Sequence, residues 1–143
     1  MNYSTDNTRI IDKVDLVTPN DVISKYPLTD EISKLVYGTR NEVSQILHGK
    51  DDRLIAVVGP CSIHDPDSAE EYAKLLIDEK KKYEEDILLI MRVYFEKPRT
   101  SIGWKGLIND PDMDNTFDAN KGLFLARSIP VSYTHLRAHE TSV

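Results

Sequence analysis

The chain has 143 residues, with 18 Lys+Arg against 24 Asp+Glu and a formal net charge of −6, which allows one ordinary domain with a real core. The acidic balance disfavours nucleic acid as a partner, since that calls for a basic face, and no stretch reaches the ~18 apolar residues of a membrane span. Met1-Asn-Tyr-Ser-Thr-Asp6 lacks the basic opening and apolar core of a signal peptide. Cys61 is the only cysteine, so no internal disulfide can form and a reducing, cytoplasmic setting is expected.

Residues 1–17 are polar apart from Ile10, Ile11 and the stretch 14–17, too little to bury independently, and read equally as an extended arm or a frayed terminus. Thr18-Pro19-Asn20-Asp21 supplies a cap, a proline in the first turn and an acid, predicting a short helix that ends before Pro27. Thr29 caps a longer helix with Ile32, Leu35, Val36, Val43, Ile46 and Leu47 on one stripe and Gly49 at its stop. His48 in its last turn reads as a helix-end residue facing the dipole. Residues 53–58 form a β-branched apolar run ending in Gly59-Pro60-Cys61-Ser62, and Asp65 or Asp67 caps the next helix, whose stripe is Ala69, Tyr72, Ala73 and Leu76. Ile87-Leu-Leu-Ile-Met91 reads as a strand buried on both faces. A last helix is predicted from near Asn115 through Phe117, Phe124 and Ala126. Alternating strands and helices argue a parallel α/β sheet, with both chemically loaded loops on the face where such folds place their sites, so the two should converge.

The second of those loops is the strongest functional signal. Arg92, Lys97, Arg99 and Lys105 fall within fourteen residues with only Glu96 opposing them, while Pro98, Gly103 and Gly106 keep the segment from becoming a helix. A charge run is more often a solvated surface. Here Arg92 continues an apolar strand and should sit deep, where it needs an anion or a carboxylate. Pro98 fixes the backbone between a point charge and a planar fork, a pairing suited to phosphate plus carboxylate. Cys61, judged on type alone, reads as a buried filler.

Gly59-Pro60-Cys61-Ser62-Ile63-His64-Asp65 together with residues 92–110 closely resemble the metal-dependent, class I 3-deoxy-7-phosphoheptulonate (DAHP) synthases. The resemblance covers about residues 1–128 and is strongest over 54–113. It implies helices followed by a (β/α)8 TIM barrel, which needs roughly 250 residues. On that footing residues 1–50 are arm and helices, 51–129 carry the first two β/α units of a truncated barrel, and 130–143 stand apart. The implied reaction condenses phosphoenolpyruvate with D-erythrose 4-phosphate to DAHP plus phosphate, opening the shikimate route to chorismate and the aromatic amino acids. Arg92 and Lys97 match family positions that bind phosphoenolpyruvate, with Lys97 and Cys61 as the catalytic pair. Pro98, Arg99 and Thr100 match those that hold erythrose 4-phosphate. Cys61 matches a ligand of the divalent metal, of Mn, Fe, Co or Zn type, which reverses the filler reading. The family's other ligands, a His, a Glu and an Asp, match nothing here, so this chain by itself is expected to be inactive. His64 reads as a loop residue beside the metal ligand. The resemblance further implies a homo-oligomeric parent whose arm packs against another subunit and helps form the feedback-inhibitor site. The competing reading is a non-catalytic phosphate-binding or oligomerisation fragment.

Residues 130–143 break every trend before them. Pro130 interrupts the last helical pattern, and His135 and His139, four apart with Glu140 adjacent, have a spacing compatible with metal ligation. The segment resembles translated adaptor read-through, and it is expected to be a non-native tail.

Overall fold

The computed structural model describes residues 6–10, 12–96 and 103–135, with side chains as far as residue 132. Its elements in order are α1 (Pro19–Lys25), α2 (Asp30–Leu47), β1 (Leu54–Val58), α3 (Pro66–Tyr83), β2 (Ile87–Met91) and α4 (Ala119–His135). This is an α/β chain with a two-stranded parallel sheet. One β-α-β crossover, β1-α3-β2, is complete in it, with register running from Leu54 opposite Ile87 to Val58 opposite Met91.

The helix starts follow their capping chemistry. Thr18 accepts from the Asp21 N–H while the Asp21 carboxylate accepts from Thr18, a reciprocal pair that closes the first turn of α1. Thr29 accepts from the Ile32 N–H at α2. Asp65, the nearer of the two candidates, caps α3 through the Asp67 and Ser68 amides. At the end of α2, His48 lies over the last turn with Nδ1 2.7 Å from the Ser44 carbonyl. Gly49 follows in the left-handed conformation at φ 67°, the usual glycine stop.

β2 is covered on both faces, Leu88 and Ile90 on one and Met91 on the other. Ala69 and Ala73 of α3, Met91 of β2, Ile129 of α4 and the loop residues Ile63, Val93 and Leu107 form one buried cluster, with Tyr72, Leu76, Phe95, Trp104 and Leu125 packed against it. The small alanines let α3 approach β2 closely. β2 is buried at Leu88, Ile90 and Met91, as its apolar run requires. β1 differs: Leu54 is 71% and Val57 49% exposed, so an equally apolar run is left half-covered.

Two expectations are corrected. α4 begins at Ala119 rather than near Asn115, because Met113, Asn115 and Phe117 all have positive φ and cannot propagate a right-handed helix. Its first turn is capped by Asp118, which accepts from the Lys121 N–H at 3.0 Å. α4 also continues through Pro130 to His135. A proline removes one helical donor, and around it the Ser128 and Ser132 hydroxyls donate back to the Leu125 and Ile129 carbonyls. The His139 and Glu140 positions lie outside the described residues.

The arm is tied to this last helix. The Asn120 side chain accepts from the Val17 N–H at 2.8 Å and donates to the Asp15 carbonyl at 3.0 Å. Arg127 donates to the Tyr26 carbonyl, and the Lys25 ammonium sits 4.3 Å from the Phe124 ring centroid.

Candidate active site at the two strand mouths

Because β1 and β2 are parallel, their C-terminal ends open on the same side, and the chain keeps pairing beyond them. The Arg92 N–H donates to the Val58 carbonyl at 2.7 Å, and the Ile63 N–H to the Tyr94 carbonyl at 2.7 Å. The two loops therefore converge, as expected. Gly59 makes the approach possible, since a Cβ there would stand 2.5 Å from the Arg92 carbonyl oxygen.

Arg92 is the centre of this junction. Its Nη1 donates to the carbonyls of Pro60 and Cys61, each at 2.7 Å, and the guanidinium lies 4.8 Å from the Tyr94 ring centroid. The expectation of a deep Arg92 is thus revised. The side chain is half-buried, and two carbonyl dipoles and an aromatic face offset its charge. Among the described residues Nε and Nη2 make no bond. That edge carries the geometry for a carboxylate or phosphate.

Cys61 is a free thiol and exposed, which overturns the filler reading taken from residue type. His64 beside it is exposed as well. Among the described residues no three His, Cys, Asp or Glu side chains gather as a metal cluster. A divalent ion needs about three or more protein ligands, so the donor set here does not make a site on its own. Lys97, Pro98, Arg99 and Thr100 lie outside the described residues.

The flanks of that stretch are braced together. Glu96 forms a bridge with Gly106, the Leu107 N–H donates to the Phe95 carbonyl at 3.0 Å, and Asn109 donates to Glu96 Oε2 at 2.8 Å. Trp104 Nε1 donates to the Asp110 carbonyl at 2.6 Å, and Asp110, only 3% exposed, accepts from the Asn115 N–H. Burial pushes the Glu96 carboxyl above its ordinary range, with the Asn109 bond opposing. Gly122 of α4 lies flat against this brace, where a Cβ would collide with the Ile108 carbonyl. Sequence reasoning missed Trp104, Asn109 and Asp110 as structural members. The one available signal was Trp104, whose N–H needs a partner when packed. Beside the first loop, a cavity of about 300 Å³ is lined by Gly59, Pro60, Ser62, Ser68 and Tyr72 among others.

Parallel strands whose C-terminal loops meet through a shared arginine define an α/β protein with its site at the strand mouths. The profile of the DAHP synthetase I family matches residues 25–138, and the chain belongs to that family. It is 48% identical over 129 residues to a Phe-sensitive phospho-2-dehydro-3-deoxyheptonate aldolase of Escherichia coli K12, covering 90% of this chain and 37% of the relative. It is 52% identical over 127 residues to the phospho-2-dehydro-3-deoxyheptonate aldolase of Haemophilus influenzae, covering 88% of this chain and 35% of the relative. A solved aldolase of the same name from Francisella tularensis superposes with a TM-score of 0.87 at 50% identity, covering 92% of this chain and 38% of that one. The chain therefore spans a little over a third of the length of these proteins.

Proposed function

We propose that this chain carries the first two strand mouths of a 3-deoxy-7-phosphoheptulonate synthase, the enzyme that joins phosphoenolpyruvate to erythrose 4-phosphate and releases phosphate. The observation that carries the reading is Arg92. A cation at the end of a buried parallel strand, with one guanidinium edge spent on the neighbouring loop and the other unbonded among the described residues, is suited to a substrate bearing a carboxylate and a phosphate. On this reading Arg92 and Lys97 hold phosphoenolpyruvate, and Pro98, Arg99 and Thr100 hold erythrose 4-phosphate. Fixed cations are needed because two phosphates and a carboxylate repel one another in one cavity.

Residues 51–129 then form the opening β/α units of a TIM barrel, with residues 1–50 as the arm and helices before it. Cys61 contributes one ligand to a divalent metal, whose chemistry when bound is that of a Lewis acid. The remaining ligands belong to the enzyme's further length, and the homo-oligomeric partner packs against the arm. A single thiolate supports no metal chemistry, so the 143-residue chain is inactive on this reading.

The test is a chimera in which residues 1–128 replace the corresponding segment of a full-length relative. Arg92→Lys in it should lower kcat/KM for phosphoenolpyruvate on the order of tenfold or more, because a point charge replaces a fork. Arg99→Ala should act chiefly on the KM for erythrose 4-phosphate. Equal weakening of both substrates by both changes would defeat the assignment.

A further inference from the structure

We propose that Arg92 is a positioning residue for Cys61, holding the cysteine loop in place through the two carbonyl bonds made by its Nη1. The geometry is independent of which substrate occupies the other guanidinium edge. Cys61 sits in a turn between Gly59-Pro60 and the capping Asp65, and its thiol is exposed. The loop is held from the β2 side, by the Ile63 N–H on the Tyr94 carbonyl and by Arg92 on the Pro60 and Cys61 carbonyls.

Of these, only Arg92 touches Cys61 itself. Bonds from a charged donor are about twice as strong as neutral ones, and both protons of Nη1 are used, one on each carbonyl. The guanidinium also lies 4.8 Å from the Tyr94 ring centroid, a further contact that restrains it. Arg92 reaches Cys61 across 31 positions of sequence. Whatever displaces the guanidinium therefore moves the thiol.

Cys61 is the sole thiol, so a nitroxide attached to it reports this loop alone. The labelled 143-residue chain, carried on a cysteine-free solubility partner, is compared with Arg92→Met, Arg92→Lys and Arg53→Met. Arg92→Met keeps the stem and removes the donors. It is expected to sharpen the nitroxide spectrum toward fast motion and to raise amide exchange over residues 60–63 by about tenfold or more. Arg92→Lys retains a cation that can donate to both carbonyls and should recover most of the order. Arg53→Met breaks a comparable ion network at the far end of the strands and should leave the label unchanged. A spectrum unaltered by Arg92→Met, no recovery with lysine, or equal mobilisation by Arg53→Met would each overturn the proposal.

Discussion

Glu96 and Gly59 set the limits of what one side chain can do at the strand mouths. The Glu96 carboxyl has one oxygen bonded to Asn109 and the other buried without a partner among the described residues, and burial raises its pKa above the ordinary 4.5. A raised carboxyl binds its proton more tightly in the folded state, so its contribution to stability is complete below the unfolded pKa and is lost as pH rises through the folded one. Glu96→Gln should therefore raise the thermal midpoint at pH 7 and leave it nearly unchanged at pH 4. Equal shifts at both values would show that packing, not ionisation, governs the site. Gly59→Ala should separate the two loops, since the added Cβ meets the backbone of Arg92 rather than a side chain that could swing away. A cost of about 1–3 kcal/mol, with lost exchange protection at the Ile63 amide, is the expected outcome. In the full-length chimera Cys61→Ala should remove metal content and turnover with little loss of stability, because little side-chain volume goes with it. Retained metal would return Cys61 to a structural role.

At the scale of elements, the capping residues and apolar stripes were legible in the sequence. Thr18, Thr29 and Gly49 fall where the helix ends lie, and Ile87–Met91 is the strand its composition announces. Local chemistry decides such features. What was not legible depended on partners distant in the chain. The carbonyl bonds of Arg92 were not foreseen, because main-chain acceptors carry no sequence signature. The late start of α4 arises from three positive φ values at ordinary residues, one of them the aromatic Phe117. Such a conformation comes from the surrounding packing rather than from propensity. Asn120 likewise reads as a neutral helical residue and turns out to hold the arm. Asn120→Ala should detach residues 15–17, costing about 1–2 kcal/mol for the two bonds and raising exchange at the Val17 amide. Gly122→Ala should cost more, because α4 must move off the Ile108 backbone, and its effect should appear at the Leu107 and Asp110 amides. If Gly122→Ala left those amides as protected as before, α4 would not be what seats the loop.

For the whole molecule, the sheet is the deciding feature. Among the described residues the sheet has two strands, which leaves one edge of β1 and one of β2 without a neighbouring strand, and Leu54 and Val57 stand exposed on the first. Open apolar edges favour association. The isolated chain should therefore sediment as concentration-dependent assemblies and show no synthase turnover. A soluble monomer with a cooperative melt would contradict the first part, and turnover in that sample would contradict the account of the missing ligands. Among the described residues no helix is long and apolar enough to cross a membrane. The parallel pairing itself could be anticipated, since two apolar runs separated by one amphipathic helix leave few other arrangements. The degree of cover on β1 could not, because it depends on neighbours beyond the two strands.

The Asn120 clasp differs in kind from the other long-range contacts. Its carboxamide offers the arm one donor and one acceptor on the Asp15 carbonyl and the Val17 amide, the same pair that the peptide group of an adjoining strand would present. Both bonds are neutral. Dissolved ions screen the exposed Lys121 and Asp112 pair only one residue away, yet they leave an amide pair essentially untouched. The arm should consequently stay seated from dilute buffer to molar salt, and what loosens it will be a competitor for amide hydrogen bonds, such as urea, rather than ionic strength.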